Sequence, residues 1–248
     1  MTDWLFVSST GELAALMIII LLASIVRGAI GFGFSALVVA SCSFWLPPAS
    51  CIMLVALLEM AASVQMFKDI KGDIHYRLLL PLVLGGLSVM IGLALLTRIA
   101  PLHLQLLMGV YLATIALINL LDLKFKPSPG MARLTFVGFM AGIINGISAM
   151  GGIFIATFLN GSRMPVKDIR ATMVIYFFIS EIAFMIGAYI NDLFSQEIFL
   201  TAAVSLIPMA IGIQMGTRLF KQLPEALLRR GVLIALVIIS VLGLLKYL

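Results

Sequence analysis

Long apolar runs fill most of this sequence, and only short polar joints separate them. The runs are Leu13–Leu46, Cys51–Phe67, Leu78–Thr97, Leu102–Leu121, Leu134–Leu159, Ala171–Ile190, Ile198–Thr217 and Leu227–Leu245. A helix that crosses a bilayer needs about 20 apolar residues, so each run is long enough or nearly so. Because lipid offers no partner for free backbone N–H and C=O groups, such runs must be helical. The sequence therefore predicts an all-α, polytopic membrane protein.

Composition excludes the soluble classes. The chain is 62% hydrophobic and 11% charged, whereas a soluble domain is about 45–50% apolar and about 25% charged. Its net charge of +5 does not indicate a nucleic-acid partner, because the Lys and Arg residues lie in the joints, where they set membrane orientation. His75 and His103 have no partner at metal-ligand spacing, and Cys42 and Cys51 lie in apolar surroundings. We therefore expect no metal and no cofactor.

The two halves of the chain share landmarks in the same order. Sliding the first half along the second aligns three pairs: Gly28 with Gly146, Gly33 with Gly151, and Pro47 with Pro165. With small gaps, three later pairs also align: Gly92 with Gly216, Pro101 with Pro224, and Gly109 with Gly231. The polar segment DLKFKPSPGMAR separates the halves. We therefore expect a first membrane repeat at 1–122, a connector at 123–133 and a second membrane repeat at 134–248.

Basic residues decide between two topologies. Eight simple crossings place similar numbers of Lys and Arg on both faces, although orientation normally follows a clear bias. If each glycine-broken first run is instead a hairpin, thirteen basic residues share one face: Lys68, Lys71, Arg77, Lys124, Lys126, Arg133, Arg163, Lys167, Arg170, Arg218, Lys221, Arg229 and Arg230. Only Arg98 and Lys246 then lie on the other face.

The hairpin interpretation predicts two inverted repeats, each a glycine-broken helical hairpin followed by three transmembrane helices, as in many secondary transporters. The thirteen-residue face would be cytoplasmic, the connector would lie there, and both termini would lie outside the cell. Eight plain helices with a weak charge bias remain the alternative. The sequence leaves open whether a hairpin arm crosses the bilayer or stops at the midplane.

The two glycine-rich breaks are the predicted anion site. They read RGAIGFGFS at 27–35 and GIINGISAMGG at 142–152. A break leaves N–H groups unpaired at the start of the next helix, and these donors favour an anion. The alternative is that the glycines only allow close helix packing. The candidate substrate contacts from these breaks are Gly28, Gly31, Gly33, Ser35, Asn145, Gly146, Ser148, Gly151 and Gly152.

Two arginines join this candidate set. Arg27 lies beside the first break inside an apolar run, where a charge is expensive and usually functional. Its planar fork suits a sulfonate, sulfite or carboxylate, and the alternative is that it extends to a lipid headgroup. Arg170 opens a later helix and is the second candidate; its alternative role is that of a cytoplasmic joint residue.

Glu59 and Glu181 are the only carboxylates inside the predicted crossings. In the repeat alignment they lie about one helical turn apart, which places them on the same face of related helices. Buried carboxylates can carry protons, so we predict a coupling or gating role. Structural hydrogen bonding to a neighbouring helix is the alternative. Gln65 and Gln214 are weaker candidates for the same role.

At these motifs the sequence resembles the TauE/SafE (TSUP) family of sulfite and organosulfonate exporters. The resemblance rests on three segments: IVRGAIGFGFSALVV at Ile25–Val39, GIINGISAMGGIFIATFL at Gly142–Leu159 and PVKDIRATMVIYF at Pro165–Phe177. It implies a multi-pass protein of the bacterial inner membrane that moves small sulfur-containing anions. One departure is the Gly-Gly-Ile-Phe sequence, where the family often has a proline-containing stretch.

Several alternatives to an exporter remain. A passive anion channel or facilitator, a transporter of small carboxylates, and an accessory subunit would share these features. An intramembrane enzyme is disfavoured, because the crossings contain no paired-Asp motif, no HExxH and no Ser–His arrangement. The expected partners are a small anion and the lipid bilayer, with a homodimer left open.

Overall fold

The computed structural model describes residues 6–7, 9–43, 45–121, 130–160, 165–222, 224 and 227. All regular secondary structure in this part is helical: α1 Thr10–Ile30, α2 Phe34–Cys42, α3 Pro48–Ile70, α4 Tyr76–Gly86, α5 Val89–Leu96, α6 Pro101–Leu120, α7 Met131–Ser148, α8 Gly151–Asn160, α9 Val166–Ile190 and α10 Gln196–Gln222. Six spans in the described residues are long and apolar enough to cross a membrane. The prediction of an all-α, polytopic membrane protein is confirmed.

Some predictions fall outside the described residues. These are the run Leu227–Leu245, most of the connector, and six of the basic residues: Lys124, Lys126, Arg163, Arg229, Arg230 and Lys246.

Both glycine-rich segments interrupt the helical backbone. Gly31 ends α1 with φ 85°, and its N–H donates to the Arg27 carbonyl. Gly33 has φ 91° and precedes α2. In the second break the left-handed residue is Ala149, with φ 57°, and its N–H donates to the Asn145 carbonyl. A left-handed residue reverses the chain direction locally and satisfies a carbonyl of the last turn.

The helices that follow the two breaks are short. Helix α2 has 9 residues and α8 has 10. At about 1.5 Å per residue each is about 15 Å long, roughly half the hydrocarbon thickness of a bilayer. Neither can cross the bilayer by itself, whereas α1 and α7 are each long enough to be candidate spans. On either side of each break, the helix before it is therefore about twice as long as the helix after it.

Glycines lie at the closest contacts of two helix pairs, α1 with α10 and the α4–α5 unit with α7. Along α1 and α10, Gly28 packs on the Ile213 carbonyl and Gly216 on the Ile25 carbonyl. Because Met17 also meets Ser205 nearer the start of both helices, α1 and α10 run parallel. Small residues allow this approach of helix backbones inside a membrane.

The α4–α5 unit packs in the same way against α7. Gly138 contacts the Leu82 carbonyl, and Gly146 contacts the Val89 carbonyl further along both elements. These two elements therefore also run parallel. Ser88 lies at the turn between α4 and α5 and donates to the Phe139 carbonyl at 2.6 Å. The sequence predicted one crossing here, and Tyr76–Leu96 is long and apolar enough to be one. The turn inside it was not predicted.

Helices α3 and α9 form the centre of the bundle and run antiparallel. Lys167 Nζ, at the start of α9, lies 3.2 Å from Asp73 Oδ1, just beyond the end of α3. At the other end, Gln105 near the start of α6 donates to the Ser43 carbonyl at the end of α2. The start of α9 therefore lies beside the end of α3, and the start of α6 lies beside the end of α2.

Candidate functional site

Arg27 is the best-buried charged side chain near the first break. It lies in the last turn of α1 with 0% exposure. Its Nη2 lies 2.9 Å from Glu59 Oε2 and donates to Ser63 Oγ at 3.0 Å, and Nη1 donates to the Gly31 carbonyl. A cation at a helix C-terminus is favoured by the helix dipole. Arg27 is thus held inside the bundle and does not extend to a lipid headgroup.

Phe177 connects the two breaks. The Arg27 guanidinium carbon lies 4.4 Å from the centroid of the Phe177 ring, in the geometry of a cation–π contact. The same ring fills the space where a side chain at Gly152 would lie, at the start of α8. Phe177 therefore touches the cation of the first break and the backbone of the second.

Glu181 belongs to the second break. Asn145 Nδ2 donates to its Oε1 at 2.9 Å, and Asn145 Oδ1 accepts the N–H of Gly151 at 3.3 Å. Glu181 is 1% exposed and lies close enough to Glu59 and Arg27 for electrostatic interaction. The structure thus gathers one arginine and two carboxylates from α1, α3 and α9 into one buried cluster.

The start of each short helix faces a protein side chain. The backbone N–H and hydroxyl of Ser35, in the first turn of α2, lie beside the Glu59 carboxylate. The N–H of Gly151 at the start of α8 is directed at Asn145. The amides that the sequence predicts as anion donors therefore already face an acidic or amide oxygen.

Arg170 is buried at the end of α1 and does not lie in an exposed joint. Its Nη2 donates to the Gly28 carbonyl at 2.9 Å and to Thr217 Oγ1 at 3.3 Å. Its guanidinium lies over the Phe220 ring. Arg170 is therefore buried although it lies only three residues after the exposed Lys167 at the start of α9.

Most of the candidate glycines pack against neighbouring groups. A side chain at any of five positions would meet another residue: Gly28 faces Ile213, Gly31 faces Arg170, Gly146 faces Val89, Gly151 faces Ala141 and Gly152 faces Phe177. The Ser148 hydroxyl donates to the Ile144 carbonyl of its own helix at 2.8 Å. These five glycines therefore allow close packing of the backbone around the site, and Ser148 is bonded within its own helix.

The two glutamine candidates differ in position. Gln65 donates to the Ala210 carbonyl at 3.0 Å and joins α3 to α10. Gln214 is exposed on α10. Neither makes a hydrogen bond to the Arg27–Glu59–Glu181 cluster among the described contacts.

Four atoms of the cluster are buried without a hydrogen-bond partner: Arg27 Nε, Glu59 Oε1, Glu59 Oε2 and Glu181 Oε2. Of these, Glu59 Oε2 is in the ion pair with Arg27. Buried polar atoms are usually satisfied, so such atoms indicate a site that can accept another group. Sequence analysis found Arg27, Glu59, Asn145 and Glu181 but missed Ser63 and Phe177. The available signal was the repeat alignment, which places Ser63 on Glu181 and Phe177 on Glu59.

Several apolar helices, broken around charged residues at the centre of the bundle, define a multi-pass membrane protein of the transporter class. The family model of the sulfite exporters TauE/SafE matches residues 16–242, and the chain belongs to that family. Neither a curated protein nor a solved structure matches the chain. Family membership makes it a transporter of the sulfite-exporter type and agrees with the expectation that it is not an enzyme.

Proposed function

We propose that this protein exports small sulfur-containing anions, such as sulfite or organosulfonates, across the bacterial inner membrane. The observation that carries the proposal is the buried guanidinium of Arg27, which lies between the two helix breaks with Nε unpartnered. A guanidinium presents several donors in one plane and suits an anion with several equivalent oxygens. Ser35 and Asn145 would supply further donors, and Arg170 would hold the end of α1 in place.

Paired contacts support the inverted-repeat architecture. Residues that the sequence aligns make the same contact in both halves. Gly28 packs on Ile213 as Gly146 packs on Val89, and Gly216 packs on Ile25 as Gly92 packs on Ile143. Each contact joins the long arm of one hairpin to a helix of the other half. This reciprocal packing supports a division into repeats at 1–122 and 134–248.

Contacts between helix ends support hairpins that enter from opposite sides. The Lys167–Asp73 ion pair puts the start of α9 at the same end of the bundle as the α3–α4 joint. Eight plain crossings would put these joints at opposite ends. Since α1 runs parallel to α10 and α2 ends beside the start of α6, the first hairpin would return to its own side. We place the Lys167–Asp73 end in the cytoplasm and both termini outside.

The buried cluster favours alternating access over an open pore. Arg27 and Glu59 are 0% and 1% exposed, whereas an open channel would place water beside its binding groups. Movement of the two hairpins against the rest of the bundle would open the cluster to one side at a time. Glu59 and Glu181 are the two buried carboxylates in the cluster and hence the candidates for proton coupling.

Flux in proteoliposomes tests the proposal. The purified full chain is reconstituted, and uptake of radiolabelled sulfite is followed with and without a pH gradient. We expect accumulation above the outside concentration only with the gradient. Arg27→Gln should abolish it, while Arg218→Gln, which replaces an exposed arginine on α10, should retain it.

The same assay separates the alternatives. Downhill flux without accumulation in the wild-type protein would indicate a channel or facilitator. Faster transport of acetate or lactate than of sulfite or methanesulfonate would indicate a carboxylate transporter. No flux of any of these anions, with folded protein in the membrane, would contradict transport by this chain alone.

A further inference from the structure

We infer that Glu59 is a tethered competitor for the substrate: its carboxylate occupies the anion position between Arg27 and the start of α2, and a substrate anion binds there only with a proton that neutralises Glu59. This inference rests on the proposed anion site at Arg27. It adds a mechanism of coupling and assigns it to one residue.

Glu59 lies beside groups that could hold an anion. Its Oε2 forms the ion pair with Arg27 Nη2 at 2.9 Å, and the N–H and hydroxyl of Ser35 lie beside the same carboxylate. A cationic fork together with a helix N-terminus would recognise a sulfonate or sulfite. The side chain of Glu59 therefore presents its oxygens to the groups that a substrate would need.

Two atoms at this position have unused hydrogen-bonding capacity. Glu59 Oε1 and Arg27 Nε are both buried and unpartnered. The carboxylate thus occupies the position while the Nε donor of Arg27 stays unused. An anion with three oxygens could contact more of these donors than the two oxygens of Glu59, which gives the substrate an advantage once Glu59 is neutral.

Charge balance requires the proton. The charged and polar groups that face Glu59 are Arg27 from α1, Ser35 from α2 and Glu181 from α9. Among the described residues, α10 contacts α3 through the Ala210 carbonyl, to which Gln65 donates, and α6 contributes no charge that acts on Glu59. Arg27 is therefore the cation that interacts with both carboxylates, Glu59 and Glu181.

Adding an anion to this cluster without a proton would leave more negative charge in a low-dielectric interior, which is strongly unfavourable. If Glu59 takes up one proton as the anion replaces it on Arg27, the charge of the cluster is unchanged. Each monoanion would then move with one proton. The transported unit would be electrically neutral, so export would be driven by the outward concentration gradient of the anion, because an inward proton gradient by itself drives this unit into the cell.

Binding measurements on the purified full chain test this inference. Methanesulfonate is the probe, because a strong acid keeps its single charge at every pH used. In the wild-type protein we expect its Kd to rise about tenfold for each unit of increasing pH once Glu59 is ionised, by proton linkage. In weakly buffered solution, binding should take up one proton per anion.

Two matched variants locate the effect. Glu59→Gln should bind methanesulfonate with a Kd that is independent of pH and no weaker than the wild-type value at the lowest pH. Glu181→Gln makes the same change on the neighbouring carboxylate and should keep the pH dependence. If Glu59→Gln does not yield folded protein, proton uptake measured in the wild-type protein and in Glu181→Gln still decides the question, because uptake that persists in Glu181→Gln cannot come from Glu181.

Each remaining outcome has one meaning. Binding that is independent of pH in the wild-type protein and is lost in Arg27→Gln would overturn the role of Glu59 and leave the anion site intact. Loss of binding in folded Glu59→Gln would also overturn it, since a competitor cannot be required for binding. No binding of methanesulfonate or sulfite by the wild-type protein at any pH would overturn the anion site itself.

Discussion

Arg27 donates a hydrogen bond to Ser63 across the contact between α1 and α3, with Nη2 3.0 Å from Oγ. The residues that the sequence aligns with them in the second half are Asn145 and Glu181, and they make the corresponding hydrogen bond at 2.9 Å. The contact is the same, but the chemistry differs. In the first half the charged partner is the cation Arg27, on the long hairpin arm α1. In the second half it is the carboxylate Glu181, on α9, the helix that follows the hairpin.

This difference makes the cluster asymmetric. Glu59 lies where the second half has Phe177, so the first half holds the ion pair and the second half supplies the ring that lies against Arg27. A symmetric cluster would contain two arginines or none. Among the described residues the cluster therefore has a single cation, Arg27.

Breaking the Arg27–Glu59 pair should destabilise the fold strongly. Removing one member of a buried ion pair leaves an uncompensated charge and typically costs about 3–5 kcal/mol, whereas replacing both is much less harmful. We therefore expect Arg27→Gln and Glu59→Gln each to lower the free energy of unfolding by more than the double variant does. Unfolding in detergent, measured for all four proteins, gives the coupling energy.

The exposed pair Lys167–Asp73 is the control for this cycle. Its side chains are 61% and 32% exposed, and surface ion pairs contribute about 1 kcal/mol or less. Lys167→Gln and Asp73→Asn should therefore be nearly additive. Additive effects at Arg27 and Glu59 as well would contradict a functional ion pair between them.

Glycine-to-alanine substitutions should affect the two halves alike. A Cβ at Gly28 would overlap the Ile213 carbonyl, and one at Gly146 would overlap the Val89 carbonyl. Overpacking of this kind costs about 1–3 kcal/mol, more than the roughly 0.5–1 kcal/mol that alanine gains in a helix. Both variants should unfold at lower temperature, by similar amounts.

Gly72→Ala is the matched control, because nothing lies within 4 Å of a Cβ at that position. Its unfolding temperature should stay close to the wild-type value. If Gly28→Ala and Gly146→Ala behave like Gly72→Ala, the helices are not held in contact at these two glycines.

The helical class and both breaks could be predicted from the sequence, because a bilayer forces apolar runs to be helical and glycine weakens a helix. The turn at Leu87–Ser88 could not. It falls inside an unbroken apolar run, and its position depends on the contact of Gly85 and Ser88 with α7. That contact joins segments far apart in the chain.

The site was predictable by residue type but not by pairing. Arg27 and Glu59 are conspicuous because charges are rare inside crossings. Their ion pair depends on how α1 and α3 pack, which the sequence does not state directly. Phe177 was missed because an aromatic residue in an apolar run is usually part of the core. Ser63 was missed for a similar reason, since small hydroxyl residues are common at helix contacts in membranes.

Cysteine labelling should place four joints in two groups. We expect Gly72→Cys and Lys167→Cys to react only from the cytoplasmic side, and Arg98→Cys and Asp192→Cys only from outside. The first pair follows from the ion pair between Lys167 and Asp73. The native Cys42 and Cys51 are buried and are replaced by Ala to remove background.

Position 167 is the decisive one. With eight plain crossings it would share a side with position 98 and lie opposite position 72. Labelling of Lys167→Cys from the side that labels Arg98→Cys would therefore contradict both the hairpins and the inverted repeat. Accessibility to a membrane-impermeant maleimide in whole cells and in inverted vesicles gives the answer.

The variant Arg170→Lys should show whether Arg170 only holds the end of α1 in place or also binds the substrate anion. Arg170 donates to the Gly28 carbonyl and to Thr217 while lying over Phe220. A lysine keeps the charge but cannot form this planar set of contacts, so the end of α1 should be held less firmly. We expect the free energy of unfolding to fall by about 1.5–3 kcal/mol, the size of a hydrogen bond to a charged group.

If Arg170 only positions α1, the apparent affinity for methanesulfonate should change by less than about twofold, a free-energy difference of about 0.4 kcal/mol, while the maximum transport rate falls. Arg218→Lys, at an exposed position on α10, should change neither quantity. A loss of affinity in Arg170→Lys much larger than the loss of stability would instead place Arg170 in contact with the anion. Arg27 lies in the last turn of α1, and Arg170 reaches the same end from α9. That result would therefore mean that the anion is held by two cations, and the charge balance at Glu59 would have to include both.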